Sequence, residues 1–121
     1  MLDTSAFLWW MSGAPMLSKA ARAAIATPQN DVHVSIATAW EIAIKRGLGK
    51  LRIAADVAAA LQSEEFVLLP IALAHVDAVA ELPPLHRDPF DRMLIAQAKH
   101  EGMRLVTCDQ EIAAYDVARL W

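Results

Sequence analysis

The chain has 121 residues, 56% of them hydrophobic and 21% charged, with a formal net charge of −3 and a pI of about 5.7. That length suits one domain, expected to span residues 1–121, and that composition builds a packed core rather than a disordered chain. The acidic balance argues against a simple nucleic-acid-binding module, which carries a basic face, but less against a nuclease whose acidic pocket is offset by metal ions.

Met1 to Thr4 reads as a very short strand, and Ala6 to Met11 as a helix broken by Gly13 and Pro15. Ser18 caps a second helix through about Ala26, and Pro28 to Asp31 is a turn. Val32 to Ser35 is a short strand leading into a helix from about Ile36 to Arg46, closed by Gly47 and Gly49. Asp56 caps an alanine-rich helix to about Glu64. Phe66 to Leu69, continuously apolar and closed by Pro70, reads as a buried strand. Ala72 to Leu82 is helical, and Pro83 to Pro89 is a loop with three prolines. Asp88 and Pro89 open a further helix, as N-cap and first residue, that runs to about Glu101 with Gly102 just beyond it. Leu105 to Thr107 is a strand, Gln110 to Tyr115 a helical turn, and Val117 to Leu120 a final strand. Strands alternating with helices imply a parallel sheet covered on both faces, so the expected fold is a three-layer α/β/α sandwich with a mainly parallel sheet.

Four acids, Asp3, Glu41, Asp91 and Asp109, stand where such a fold turns inward. Asp3 and Asp109 follow strand-like runs, and ligands of open parallel sheets gather beyond the carboxyl ends of strands. Each acid also has an ordinary reading. Asp3 is either a cap for the helix at Ala6 or a metal ligand. Glu41 completes a capping box with Thr38 and can pair with Lys45, unless Ser35 is the cap and Glu41 lies inside the helix. Asp88 has a cap's place before Pro89, whereas Asp91 opens the mostly apolar stretch Met93 to Ala98, where an ionised group needs a partner or a cation. Asp109 is either a surface turn residue or a ligand, beside Thr107, which can donate a hydrogen bond or hold a water on a metal. Two carboxylates about 4 Å apart repel by roughly 4 kcal/mol at an effective dielectric near 20. Four acids in one place therefore call for protons or a divalent cation. Oxygen ligands suit Mg2+ or Mn2+ and metal-assisted attack on a phosphodiester.

Basic residues form two groups: Lys45, Arg46, Lys50 and Arg52 after the Glu41 helix, and His86, Arg87 and Arg92 around Asp88 and Asp91. Most such charges solvate a face, but beside an acidic pocket Lys45, Arg46, Arg87 and Arg92 are the candidates to grip RNA phosphates. Trp9 and Trp10 are adjacent on one helix and cannot both face one core, so one of them is a candidate contact for a partner chain. The single Cys108, read as a small buried filler, excludes an internal disulfide, and the histidines His33, His75, His86 and His100 are too dispersed to suggest a zinc site. The AFLWWM run follows Asp3, lacks a basic flank and is too short to anchor in a membrane, so a reducing cytoplasm is the expected setting.

Taken in order, DTSAFLWW, SIATAWEIAIKRGLGKL, LPPLHRDPFDRMLIAQA and LVTCDQEIAAY resemble the motifs of the PIN-domain family, specifically its VapC-like toxins. The third is the most specific match, and the four together cover almost the whole chain. The resemblance implies that Asp3, Glu41, Asp91 and Asp109 bind metal in an Mg2+- or Mn2+-dependent ribonuclease, with Asp88 as an auxiliary acid. It also implies a homodimer silenced by a small antitoxin lying across the active site. The chain departs from the pattern in its short first strand, with only Met1 and Leu2 before Asp3, and in Ser5, where many relatives carry a histidine. A haloacid-dehalogenase-type phosphatase with Asp3 as nucleophile is a rival, although Ser5 stands where its second aspartate belongs; a catalytically silent protein-binding module is another.

Overall fold

The computed structural model describes residues 1–51 and 56–121; Arg52 lies outside the described residues. In chain order the elements are α1 (Thr4–Met11), α2 (Lys19–Ala26), β1 (His33–Ser35), α3 (Ile36–Gly47), α4 (Val57–Ser63), β2 (Val67–Leu69), α5 (Leu73–Glu81), α6 (Pro89–His100), β3 (Leu105–Val106), α7 (Gln110–Ala113) and β4 (Arg119–Leu120). The architecture is the expected α/β sandwich.

The sheet is organised around the shortest segment in it. Strand β2 pairs in parallel with β1, and β3 with β4. Leu2 joins the two pairs through parallel bridges to Val34 on one side and Val106 on the other. The backbone ties are short: Leu2 N donates to His33 O at 2.9 Å, Asp3 N to Val106 O at 3.1 Å, and Val106 N to Met1 O at 2.8 Å. The order is therefore β2, β1, the Leu2 segment, β3, β4. One central residue suffices because its neighbours on both sides hold the register.

Alternation along the strands divides the core. Leu2, Val34 and Val106 face one layer with Phe7, Ala21 and Ile25, from α1 and α2. Met1 and Leu105 face the other with Leu94, Ile95 and Ala98 of α6, Ile112 and Tyr115. Helix α3 serves both, placing Ile42 in the first cluster and Ala37 in the second.

Two expectations need correction. The Phe66 to Leu69 run is not a buried strand: only Phe66 is buried, while Val67 and Leu68 are each 42% exposed, because β2 is the outermost strand beyond β1. Trp9 and Trp10 do not offer one free indole. Trp9 packs on Trp121 with ring centroids 5.7 Å apart; Trp10 packs on Phe66 and donates its Nε1–H to Glu64 at 2.9 Å. The most exposed tryptophan is Trp40, at 58%, against 37% for Trp121. Helix α6 ends as expected: Gly102 takes a φ of 65°, a conformation costly for other residues, which lets Met103 N donate to Ala98 O at 2.8 Å.

Candidate active site

The carboxyl ends of the Leu2 segment and β3 open into a cleft of about 240 Å³ lined by Asp3, Thr4, Glu41, Lys45, Asp88, Asp91 and Asp109, together with Ser5 and Cys108. A larger cavity of about 370 Å³ lies at the opposite strand ends, near Asp31, His33 and Arg104, and gathers no acidic cluster. The acids scattered through the chain thus meet in the smaller cleft.

Local structure explains how each arrives. Asp3 caps α1, its Oδ1 accepting from Ala6 N at 2.6 Å, and the Thr107 hydroxyl also hydrogen-bonds its carboxylate. The capping role and the cleft position therefore coexist. Asp3 is 5% exposed, and burial raises its pKa despite these bonds, with Asp109 and Glu41 adding to the shift. Ser35 caps α3 by accepting from Ala37 N at 2.9 Å, so Thr38 is interior and the Thr38–Glu41 capping box does not form. The Lys45 pairing of Glu41 does form. One carboxylate oxygen accepts from the Thr4 hydroxyl, the other from Lys45 Nζ at 2.5 Å, and the pairing raises the Lys45 pKa.

Asp88 caps α6, accepting from Phe90 N at 2.8 Å and Asp91 N at 3.3 Å. Asp91 stands one turn on, in the same cleft. Burial and the neighbouring Asp88 push its pKa up to about 7, with His86 opposing the shift. Asp109 caps α7 through Glu111 N at 2.7 Å, while its own N–H donates to Thr107 Oγ1 at 3.1 Å. Cys108 is not a buried filler: it is half-buried on the cleft wall, because it stands after the two-residue strand β3 has ended.

The cations divide. Lys45 is in the cleft, and Arg46 and Arg87 are exposed near its rim helices. Arg92, expected as a phosphate contact, is committed elsewhere. Its guanidinium donates to Pro83 O (2.9 Å), Val79 O (3.1 Å), Leu82 O (3.1 Å) and the Tyr115 hydroxyl (3.0 Å), bracing the end of α5.

Two residues at the site escaped the sequence reading. His86 is 8% exposed, with Nε2 lying 3.1 Å from Asp91 Oδ2 and 3.7 Å from Asp109 Oδ2. Tyr115 accepts from the amides of Leu85 (3.2 Å) and His86 (2.8 Å) and donates to Pro83 O (2.9 Å), holding the loop that carries His86 and Asp88. Local patterning carries no trace of Tyr115, which lies about thirty residues downstream of that loop. The histidine beside DPFD was a visible signal, read only as part of a basic group.

The cleft's oxygen donors are carboxylates and hydroxyls, with the Cys108 thiol on its wall and the Lys45 ammonium paired to Glu41. Such hard oxygen donors, with the pKa of Asp3 and Asp91 pushed up by burial and then by the neighbouring carboxylates, fit a divalent cation of the Mg2+ or Mn2+ type. A sequence model of the PIN domain matches residues 1–118. The chain belongs to the PIN-domain family. PIN domains are nucleases, hydrolases of phosphodiester bonds, and generally use divalent metals. Among solved structures, this PIN fold is similar to "Toxin-antitoxin complex from Klebsiella pneumoniae", with a TM-score of 0.65 and 17% identity over 99% of this chain and 94% of that one. At that identity the likeness speaks for the fold alone. No curated protein sequence matches the chain. Membership of the PIN family leaves the haloacid-dehalogenase reading without support. Among the described residues no helix is long and apolar enough to cross a membrane.

Proposed function

We propose that this PIN domain is an Mg2+- or Mn2+-dependent endoribonuclease, the VapC-like toxin of a type II toxin–antitoxin pair. The observation that carries the reading is the convergence of Asp3, Glu41, Asp91 and Asp109, from four separate parts of the fold, on one cleft at the carboxyl ends of the strands. In this reading those four acids hold the cation, and Asp88 supports them as the cap of α6. A bound cation supplies Lewis acidity to the phosphodiester and charge compensation at the leaving oxygen. The chain's own residues do the rest. The Thr4 hydroxyl and Lys45 orient Glu41, the Thr107 hydroxyl orients Asp3, and Lys45, Arg46 and Arg87 draw in the RNA backbone without reading its sequence.

A homodimer and an antitoxin complete the proposal. Ile36, Trp40, Ile44 and Leu48 recur every fourth residue on or just beyond α3, and all four are exposed. Such a stripe is the kind of surface a second chain covers. The toxin–antitoxin assembly of the similar structure supports an antitoxin as partner here. The test is cleavage of RNA by the purified chain, freed of any partner, with Mg2+ or Mn2+ and with chelator. Metal-dependent scission is expected; RNA left intact with either ion would remove the nuclease reading, and harmless expression of the chain alone would remove the toxin reading.

A further inference from the structure

His86 is the buried polar group at the site whose role the acids alone do not explain. Its Nδ1 accepts a hydrogen bond from the Asp88 backbone N–H at 3.0 Å. A ring nitrogen that accepts carries no hydrogen, so the hydrogen of the neutral ring sits on Nε2. Metal-binding histidines show the reverse pattern, donating from the nitrogen that does not bind. Close as it lies to Asp91 and Asp109, Nε2 is therefore built as a donor and not as a ligand.

The donor is held ready but incompletely matched. Nε2 is shielded from solvent and makes no hydrogen bond of good geometry, although Asp91 Oδ2 is 3.1 Å away and Asp109 Oδ2 3.7 Å away. Asp91 Oδ2 is within reach but off the line of a good N–H bond, and Asp109 Oδ2 lies beyond hydrogen-bond distance. His75 makes the contrast plain: its Nδ1 likewise takes a backbone amide, that of Ala72 at 3.0 Å, but its Nε2 meets Glu101 at 2.7 Å. At His86 the Nε2–H points between two carboxylates that come from different elements, α6 and the N-cap of α7.

We propose that His86 is a positioning residue of the metal centre. Its Nε2–H would steady the carboxylates of Asp91 and Asp109, which come from different elements, as two of the groups that would hold a divalent cation. This inference rests on the metal-nuclease reading above. The Tyr115 hydroxyl extends the chain of support, because it fixes the backbone amide of His86 itself.

Two substitutions separate the functions of the ring. His86→Asn keeps an acceptor for the Asp88 amide but cannot reach the carboxylates; His86→Gln places an amide donor near the position of Nε2. The measurement is calorimetric titration of the partner-free chain with Mn2+ alone, alongside melting curves. His86→Asn is expected to bind Mn2+ about tenfold more weakly, within the range for outer-shell partners of metal ligands. His86→Gln should recover most of the loss, and the Mn2+ concentration for half-maximal cleavage should follow the same order. Parental affinity in His86→Asn, a loss that His86→Gln does not relieve, or failure of both variants to fold would overturn the assignment. If the unsubstituted chain itself takes up no Mn2+, the metal-centre reading falls and this inference with it, an outcome visible before any variant is made.

Discussion

Asp88 and Asp91 are three residues apart and face one cleft, yet their surroundings divide their roles. Asp88 spends its carboxylate on the first amides of α6, a role asparagine also fills, so Asp88→Asn should cost no more than about 1 kcal/mol and keep substantial cleavage. Asp91 makes no capping bond and carries the strained charge, so Asp91→Asn should abolish cleavage with the fold intact. Cleavage assays at matched Mg2+, with melting curves, decide; a dead Asp88→Asn beside an active Asp91→Asn would reverse the assignment. Asp91 also sets a pH dependence. Its pKa rises on folding from the ordinary 3.8 to about 7, so between those values the metal-free fold keeps a proton that the unfolded chain has lost. That stabilisation is complete below the unfolded value and disappears as pH rises through the folded one. In chelator, the protein should therefore lose stability from this group progressively as pH rises from about 4 to about 7, and Asp91→Asn should flatten that part of the profile. An equally steep loss in the variant would assign the effect elsewhere.

At the scale of elements, the loop between α5 and α6 has no secondary structure of its own and is held by Tyr115 and Arg92. Tyr115→Phe removes one hydroxyl that serves the amides of Leu85 and His86, the Arg92 guanidinium and Pro83 O. Leaving such buried groups short of a partner costs about 1–3 kcal/mol. The expected result is a destabilised protein with weakened cleavage, since the same loop carries His86 and Asp88; denaturant melts that match the parent would show that the hydroxyl is dispensable. Helix α3 shows why one of its acids was hard to assign from sequence. Thr38 and Glu41 have the spacing of a capping box, but Ser35 starts the helix, accepting from Ala37 N and donating to the buried Gln97 Oε1 at 2.5 Å. Which of two good caps begins the helix was settled by Gln97, sixty-two residues away, and no local pattern contains that partner.

For the whole molecule, two outcomes follow from the proposed assembly. A cation that binds only the folded state should stabilise it by about 2.7 kcal/mol at a hundredfold excess over its Kd, and chelator should remove that gain. A melting temperature indifferent to both Mg2+ and Mn2+ would leave the acidic cleft without its proposed occupant. The exposed stripe of α3 makes a separate claim. Trp40→Asp should turn a dimer into a monomer by light scattering, with a modest cost to the protomer because it also removes the edge-on contact of Trp40 with Phe90, ring centroids 5.2 Å apart. A parent chain that is already monomeric at micromolar concentration would set the dimer aside.

The order of strands and helices, the caps at Ser18, Asp56 and Asp88, and the stop at Gly102 were legible because each depends on residues within a few positions of one another. The acids were legible as candidates for the same reason: a carboxylate after a strand or at the start of an apolar helix is conspicuous locally. What the chain alone left open concerns neighbours distant in sequence. Phe66 to Leu69 has the composition of an interior strand, and only its place at the end of the sheet, beyond β1, exposes Val67 and Leu68. Arg92 belongs by sequence with the phosphate-binding cations, and only the carbonyls at the end of α5 and the Tyr115 hydroxyl claim it. His86 reads as one more basic residue until the fold sets Asp91 and Asp109 on either side of its Nε2–H. Backbone preferences and apolar periodicity act over a turn or two and so determine elements, whereas the direction of a hydrogen bond and the burial of a charge depend on which elements the tertiary fold brings together.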